Sequence, residues 1–273
     1  MSILFALFLF CSVGTCADQL NLRSSYSGLI RADLVGNSGQ MKLFFQDDVM
    51  RFVKVRMNKL EEVKFEEKNE NGTNTTKEVT VRKGPSFAST DFAWSTPLNS
   101  KFGDQMVLYS SGISNFVLDG TAVTFRIHAH MMSAYYSTTA TVGDVSITVP
   151  RNTIKFDIEV TGWPFSSDNA TQTFLKVTLD VSGSGGRGAP VIATQVYTKN
   201  SNEKRITVGG GFLDVPTLAL IDGAKTAVAV SLTDSSIDIL FPKGGSIIYD
   251  PIIAAATVNS WSWFILLAVL IVL

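Results

Sequence analysis

The sequence predicts an all-β protein, an antiparallel β-sandwich ectodomain built as one large domain or two smaller ones. Short runs of alternating or β-branched residues recur along the chain, bounded by Gly, Asn, Asp, Ser and Pro, which is typical of antiparallel strands. No segment between the two ends shows the apolar spacing of an amphipathic helix. Asp119-Gly120 and Gly143-Asp144 are dipeptides that tight hairpin turns use.

The strand pattern is found along the whole region between the two ends. The predicted strands are 28–35, 41–46, 51–56, 79–82, 122–130, 145–149, 153–161, 172–181, 191–198, 227–232 and 237–241. A strand pattern ends in Pro150 and a new one begins soon after, so a domain boundary is predicted near residue 150.

The first 17 residues predict a secretory signal peptide. Residues 3–10 are all apolar, and Thr15 and Ala17 occupy the small-residue positions of a cleavage site. We therefore expect the protein to enter the secretory pathway.

Both cysteines of the chain, Cys11 and Cys16, lie within this predicted signal. Cleavage after Ala17 would leave a mature protein without thiols. A disulfide framework, a cysteine nucleophile and a thiolate metal site are then all excluded.

The segment 252–273 is predicted to anchor the protein, because it is apolar and long enough to cross a bilayer as a helix. No Lys or Arg follows it, although basic residues usually fix the orientation of a single-pass span. Small residues at 254–256, or upstream at 244–246, followed by an apolar stretch, suggest a GPI-attachment signal. Both kinds of anchor stay open, and 18–250 forms the predicted ectodomain.

The most polar segment, 59–83, is predicted to be an exposed hairpin whose tip projects into solvent. It contains two glycosylation sequons, at Asn71 and Asn74, and a third sequon lies at Asn169. All three occur in turn-like sequence on a chain with a secretion signal. We expect at least one of them to carry a glycan.

The charge balance gives no sign of a nucleic-acid partner. The formal net charge is −1, from 23 basic and 24 acidic residues, so the chain lacks the basic field that draws in nucleic acid. Residues 183–188 fit the GxGxxG pattern, but the sequence that follows is strand-like. A hairpin loop is therefore favoured over a dinucleotide site, and no cofactor is expected.

His128 and His130 are the only histidines, and their spacing on a predicted strand places both on one face. Two ligands of a metal site would need this arrangement, but the alternation of polar and apolar residues over 124–130 favours the solvent face of a half-buried strand. No GxSxG motif or calcium-loop pattern is present. We expect no catalytic residues and no bound metal.

The stretch 149–165 predicts a strand with an apolar face, ending in an aromatic corner at Trp163-Pro164-Phe165. Together with the order of signal, cysteine-free β ectodomain and apolar tail, it resembles uncharacterised skeletal organic matrix proteins of stony corals. The resemblance implies an ectodomain that is shed from a calcifying cell and held in mineral. It transfers no functional residues, and the chain lacks the Asp-rich runs of acidic mineral-binding proteins.

The expected function is that of a non-enzymatic cell-surface or extracellular matrix glycoprotein, anchored in a membrane and shed into a skeletal organic matrix during biomineralisation. The alternative is a recognition module that binds carbohydrate or a partner protein at the cell surface. A secreted metal-dependent enzyme built around His128 and His130 is the third hypothesis.

Overall fold

The computed structural model describes residues 19–23, 30–36, 38–45, 48–70, 73–87, 90, 92–132, 137–142, 145–166, 173–185, 191–192, 195–233 and 236–255. All the regular elements in this part of the chain are β-strands, as predicted. They form a nine-stranded sheet, a twelve-stranded sheet and a two-stranded ribbon, with antiparallel pairing between neighbours.

The nine-stranded sheet contains β1 (Gln19–Arg23), β2 (Ile30–Val35), β3 (Gln40–Phe45), β4 (Asp48–Glu70), β5 (Thr73–Lys83), β13 (Thr173–Gly185), β14 (Val191–Ile192), β20 (Ala229–Thr233) and β21 (Ser236–Pro242). The twelve-stranded sheet contains β6 (Ala93–Trp94), β7 (Leu98–Phe102), β8 (Gln105–Leu118), β9 (Thr121–Met131), β12 (Thr153–Thr161), β15 (Gln195–Asn200), β16 (Glu203–Val208), β17 (Gly211–Pro216), β18 (Leu218–Ile221), β19 (Ala224–Ala227), β22 (Ser246–Tyr249) and β23 (Ile252–Ala255). The ribbon consists of β10 (Thr138–Val142) and β11 (Val145–Val149).

The two large sheets share one hydrophobic core, which makes the fold β-sandwich-like. Leu43 and Val53 from the nine-stranded sheet and Phe125 and Ile127 from the twelve-stranded sheet are all fully buried in it. Alternation along the strands directs apolar side chains inward and polar ones outward. Burying each large apolar side chain contributes about 1.5 to 3 kcal/mol, so this core is the main source of stability.

Strand β12 lies inside the twelve-stranded sheet and pairs along both edges, with β9 on one side and with β22 and β23 on the other. The register against β22 and β23 is the same, which places Asp250 opposite Asp157 and Pro251 opposite Phe156. Pro251 has no amide hydrogen, but its carbonyl accepts a hydrogen bond from the Phe156 amide at 3.0 Å. Strands β22 and β23 therefore lie end to end along the same edge of β12, with an interruption at 250–251.

The first residues of the predicted anchor lie in this sheet. Strand β23 pairs with β12 and β17, and Ile253 is fully buried. Residues 256–273 and the predicted signal peptide, 1–17, lie outside the described residues. No helix among the described residues has the length and apolarity to cross a membrane.

Strands on both sides of the boundary predicted near residue 150 belong to the twelve-stranded sheet. The division of the ectodomain into one or two domains stays a prediction.

The hairpin predicted over 59–83 is confirmed as β4 and β5, but its base is not exposed. Leu60 and Val63 are buried against the nine-stranded sheet, and β4 pairs with β13 as far as Lys64. The Asp119-Gly120 turn is also confirmed: the φ angles of 49° and 78° are those of a type I′ hairpin. Residues 143–144 lie outside the described residues.

We expect the substitution Ile253→Ala to lower the free energy of unfolding by about 2 to 5 kcal/mol, because it opens a cavity beside β12. Urea denaturation would measure this change. Met106→Ala is a matched control, since Met106 is 48% exposed and its truncation should cost less than about 0.5 kcal/mol. An unchanged midpoint for Ile253→Ala would show that β23 does not belong to the folded core.

Candidate functional site

The outer face of the twelve-stranded sheet carries a cluster of polar and charged side chains where β8, β9, β12 and the 250–251 interruption meet. Because alternate residues of a strand share a face, the two histidines of β9 lie together on this side, as the sequence predicted. The cluster, called the outer-face cluster below, consists of Tyr109, Arg126, His128, His130, Lys155, Asp157, Glu159 and Asp250.

His128 lies between a phenol and a carboxylate. Its Nδ1 is 2.7 Å from the Tyr109 hydroxyl, and its Nε2 is 3.3 Å from Oε2 of Glu159. Arg126 donates to the same carboxylate oxygen at 2.8 Å. The two ring nitrogens of His128 are thus both engaged, one by Tyr109 and the other by Glu159.

His130 faces the second carboxylate of β12. Its Nε2 lies 3.5 Å from Oδ2 of Asp157, and its ring packs against Phe102 and Tyr109, with centroids 5.0 Å away in each case. The Nδ1 atom is buried and has no hydrogen-bond partner among the described residues.

Lys155 is the most buried member of the cluster, with 1% of its surface exposed. Its ammonium donates to Asp157 and, at 3.0 Å, to Asp250. Burial lowers the pKa of Lys155, but the two carboxylates outweigh this effect and raise the pKa above its ordinary value. Lys155 is therefore a fixed positive charge that joins β12 to the interruption between β22 and β23.

The two carboxylates titrate very differently. Burial and the neighbouring charge of Asp157 raise the pKa of Asp250 to about 7, despite the opposing charge of Lys155. Burial also acts to raise the pKa of Asp157, but the hydrogen bond with His130 and the charge of Lys155 hold it below its ordinary range. The pair therefore retains one proton up to near-neutral pH, because two buried carboxylates placed opposite each other resist double ionisation.

The charged side chains of the cluster form ion pairs and hydrogen bonds with one another. The described residues contain no group of three or more His, Cys, Asp or Glu side chains placed to hold a metal ion. The position between Asp157 and Asp250 is taken by the Lys155 ammonium. What the arrangement can do chemically is retain a proton on Asp250 up to near-neutral pH and hold three strands together.

The other predicted site residues lie elsewhere. Asn74 is exposed on β5, whereas Asn71 and Asn169 lie outside the described residues. Gly183 and Gly185 belong to the end of β13, which pairs with β14, whereas residues 186–188 of the GxGxxG segment lie outside the described residues. Asn74, Gly183 and Gly185 all lie in the nine-stranded sheet, and the outer-face cluster lies in the twelve-stranded sheet.

Sequence reasoning missed a buried carboxylate at Glu62. Its Oε2 accepts from Arg82 at 3.1 Å and from the Trp163 indole at 3.4 Å, and its Oε1 accepts from the backbone amide of Ser166 at 2.8 Å. Burial alone would raise the pKa of Glu62, but the hydrogen bonds from Ser166, Arg82 and Trp163 lower it. The only sequence signal was an acidic residue within an alternating strand that otherwise looked exposed.

No protein-family model matches the chain, and no curated protein is significantly similar to it. The geometry of the described residues therefore carries the functional argument.

We expect Asp250→Asn to flatten the dependence of stability on pH between about 4 and 7. Asp250 keeps its proton in the folded protein up to about pH 7 but loses it near 3.8 when unfolded, so the folded state binds more protons in this window. Stability then falls as pH rises, by at most about 1.4 kcal/mol per pH unit for one proton. The facing groups Lys155, Asp157 and His130 are unchanged in the variant.

Thermal unfolding from pH 4 to pH 8 would measure the effect as the difference in Tm between wild type and variant. Asp119→Asn is the control, because it removes a carboxylate that is 61% exposed, at a turn position that Asn tolerates. Parallel Tm profiles for wild type and Asp250→Asn would contradict the retention of a proton by Asp250 in the folded protein.

Proposed function

We propose that the protein is a non-enzymatic glycoprotein of the cell surface, which enters the secretory pathway through residues 1–17 and is held in a membrane by its C-terminal segment. Its β-sandwich ectodomain is shed into the extracellular matrix. By resemblance to the skeletal organic matrix proteins of stony corals, the matrix in question is a mineralising one. The observation that carries the proposal is the placement of the sequon at Asn74.

Asn74 lies near the tip of a two-stranded hairpin that projects from the sandwich. Among the described residues, β4 pairs with β13 up to Lys64, and beyond that point it pairs with β5. Residues 66–69 and 74–78 are exposed on both strands of this projection. A glycan at Asn74 would therefore meet no neighbouring strand, and the polar hairpin would keep it in solvent.

The ion pairs within the outer-face cluster support the proposal that the protein is not an enzyme. Glu159 is engaged by Arg126 and His128, and Asp157 and Asp250 are engaged by Lys155. A nucleophile or a general base needs a group that faces a substrate. These groups face one another instead.

The anchor proposal is refined by the position of β23. Residues 256–273 follow the last strand directly, and as a helix they would span about 27 Å, close to the roughly 30 Å hydrocarbon core of a bilayer. GPI attachment at 254–256 would leave both β22 and β23 in place. Attachment at 244–246 would remove both strands and expose the edge of β12, so the downstream position is favoured.

A recognition module remains the second candidate function. The observation that favours it is a pair of facing lysines on the other sheet, which is analysed below.

We expect the full-length chain, expressed in a secretory animal cell, to carry N-linked glycan at Asn74. Asn74→Gln should increase electrophoretic mobility by one step, and a peptide N-glycosidase should abolish the difference between the two proteins. Asn69→Gln is the matched control: Asn69 is the cross-strand partner of Asn74, is also exposed and belongs to no sequon. A wild-type chain that the glycosidase leaves unchanged would contradict the proposal.

We expect a chain ending at Ala255 to be secreted in folded form, because it keeps every strand of the sandwich and loses the anchor. A chain ending at Lys243 should be retained in the cell, since it lacks β22 and β23. Surface labelling, secretion assays and phosphatidylinositol-specific phospholipase C on intact cells would measure these outcomes. Retention of the chain ending at Ala255 on the cell surface would rule out the C-terminal anchor.

A further inference from the structure

On the outer face of the nine-stranded sheet, strands β3 and β4 carry two neighbouring cross-strand pairs, one of lysines and one of phenylalanines. Lys42 on β3 lies directly opposite Lys54 on β4, and Phe44 lies opposite Phe52. Arg31 on β2 lies opposite Phe44 from the other side. These five residues are called the basic–aromatic block below.

The aromatic rings hold the cations in place. The Lys42 ammonium lies 3.9 Å from the ring centroid of Phe52 and 4.5 Å from that of Phe44. The Arg31 guanidinium lies 4.1 Å from the Phe44 centroid. Such cation–π contacts fix long side chains that would otherwise be free, and they leave Phe44 only 4% exposed.

The positive charge of the block is only partly neutralised within the described residues. Asp33 of β2 lies directly opposite Lys42 and forms an ion pair with Arg31 at 3.2 Å, so one carboxylate serves two cations. Asp180 of β13 is engaged by Arg56. Neither Lys42 nor Lys54 has an ion pair in the described part of the chain.

Placing the two lysines opposite each other is unfavourable for the fold. Like charges that face each other across a strand pair destabilise a sheet. Burial and the neighbouring charges of Lys54 and Arg31 lower the pKa of Lys42, although Asp33 opposes this shift. A destabilising pair that is held in place by two aromatic rings suggests a ligand that neutralises it.

We propose that the basic–aromatic block binds a sulfated polysaccharide. Sulfate groups would accept hydrogen bonds from the two ammonium groups and the guanidinium, and the half-buried Phe52 ring offers a face for the apolar side of a sugar ring. The choice of polymer rests on the extracellular location proposed above, whereas the anion site rests on the geometry alone. An anionic membrane is the less suitable partner, because Phe52 is the one partly exposed apolar side chain of the block, and a single ring is little apolar surface to insert into lipid.

The test uses the full-length chain, purified in non-ionic detergent, and surface plasmon resonance on immobilised heparin at 0.15 M salt. The other ligands to be tested are dextran sulfate, uncharged dextran and vesicles containing phosphatidylserine. The test variant is Lys42→Gln/Lys54→Gln, and Lys42→Arg/Lys54→Arg keeps the charge. The control is Lys77→Gln/Lys101→Gln, which removes the same charge from two exposed lysines of β5 and β7.

Binding to heparin and dextran sulfate but not to dextran is expected for the wild type. The Gln variant should bind about tenfold more weakly, and the Arg variant and the control should stay within about twofold of the wild type. The Gln variant should keep a Tm close to that of the wild type, because removal of the lysine repulsion offsets the lost cation–π contacts of Lys42. An unchanged Tm would show that lost binding is not lost folding.

No binding of wild type to either sulfated polymer, or equal binding by the Gln variant, would overturn the proposal. Binding to the vesicles alone would overturn it in favour of a membrane surface. Because the assay uses purified protein, its outcome is independent of secretion and anchoring. A chain that binds heparin but never reaches the cell surface would refute the proposed function and leave the anion site standing.

Discussion

Strand β12 is paired along both edges, and the rest of the fold and the candidate site depend on its register. Its inward residues, among them Ile154 and Phe156, are fully buried in the shared core. Its outward residues Lys155, Asp157 and Glu159 form the centre of the outer-face cluster. A shift of one residue would exchange the two sets and bring the charges into the core. Core packing and the position of the cluster are therefore fixed together.

Buried carboxylates connect parts of the sandwich that the strand pairing leaves separate. Glu62 of the nine-stranded sheet accepts hydrogen bonds from Trp163 and Ser166, which follow β12 in the other sheet. Asp214 of β17 is also buried, but it joins strands that are already neighbours, because it accepts two hydrogen bonds from Arg205 of β16 and one from Lys199 of β15. A buried charge is tolerated only where its acceptor positions are filled. Each carboxylate therefore requires its partners to be correctly placed, which favours one arrangement of the chain over its alternatives.

The sequence contained enough information for the local structure but not for the pairing. The alternation over 153–161 predicts the bounds of β12 as observed, and the spacing of His128 and His130 predicts a shared face. The partners of these histidines could not be predicted, because they depend on the register between distant strands. The same holds for Lys42 and Lys54, which are unremarkable in sequence and become a pair only when β3 meets β4.

Strand β23 was the most difficult element to predict, for a different reason. A short apolar run has the same composition whether it crosses a bilayer or lies between two strands of a sheet. The run that begins at Ile252 is continuous with the apolar residues after it, so nothing in the sequence marks the end of the strand. Only the pairing with β12 and β17 assigns residues 252–255 to the sheet.

The late position of β22 and β23 in the chain also determines how the protein can be made. Synthesis proceeds from the amino terminus, so β12, β17 and β18 have all been translated before β22, which joins β12 to β18, and β23, which joins β12 to β17. Until then β12 has an open edge, and open edges pair readily with other chains. The nascent protein must therefore be kept from aggregating while one side of its central strand is vacant, and the twelve-stranded sheet closes only when translation has passed residue 255.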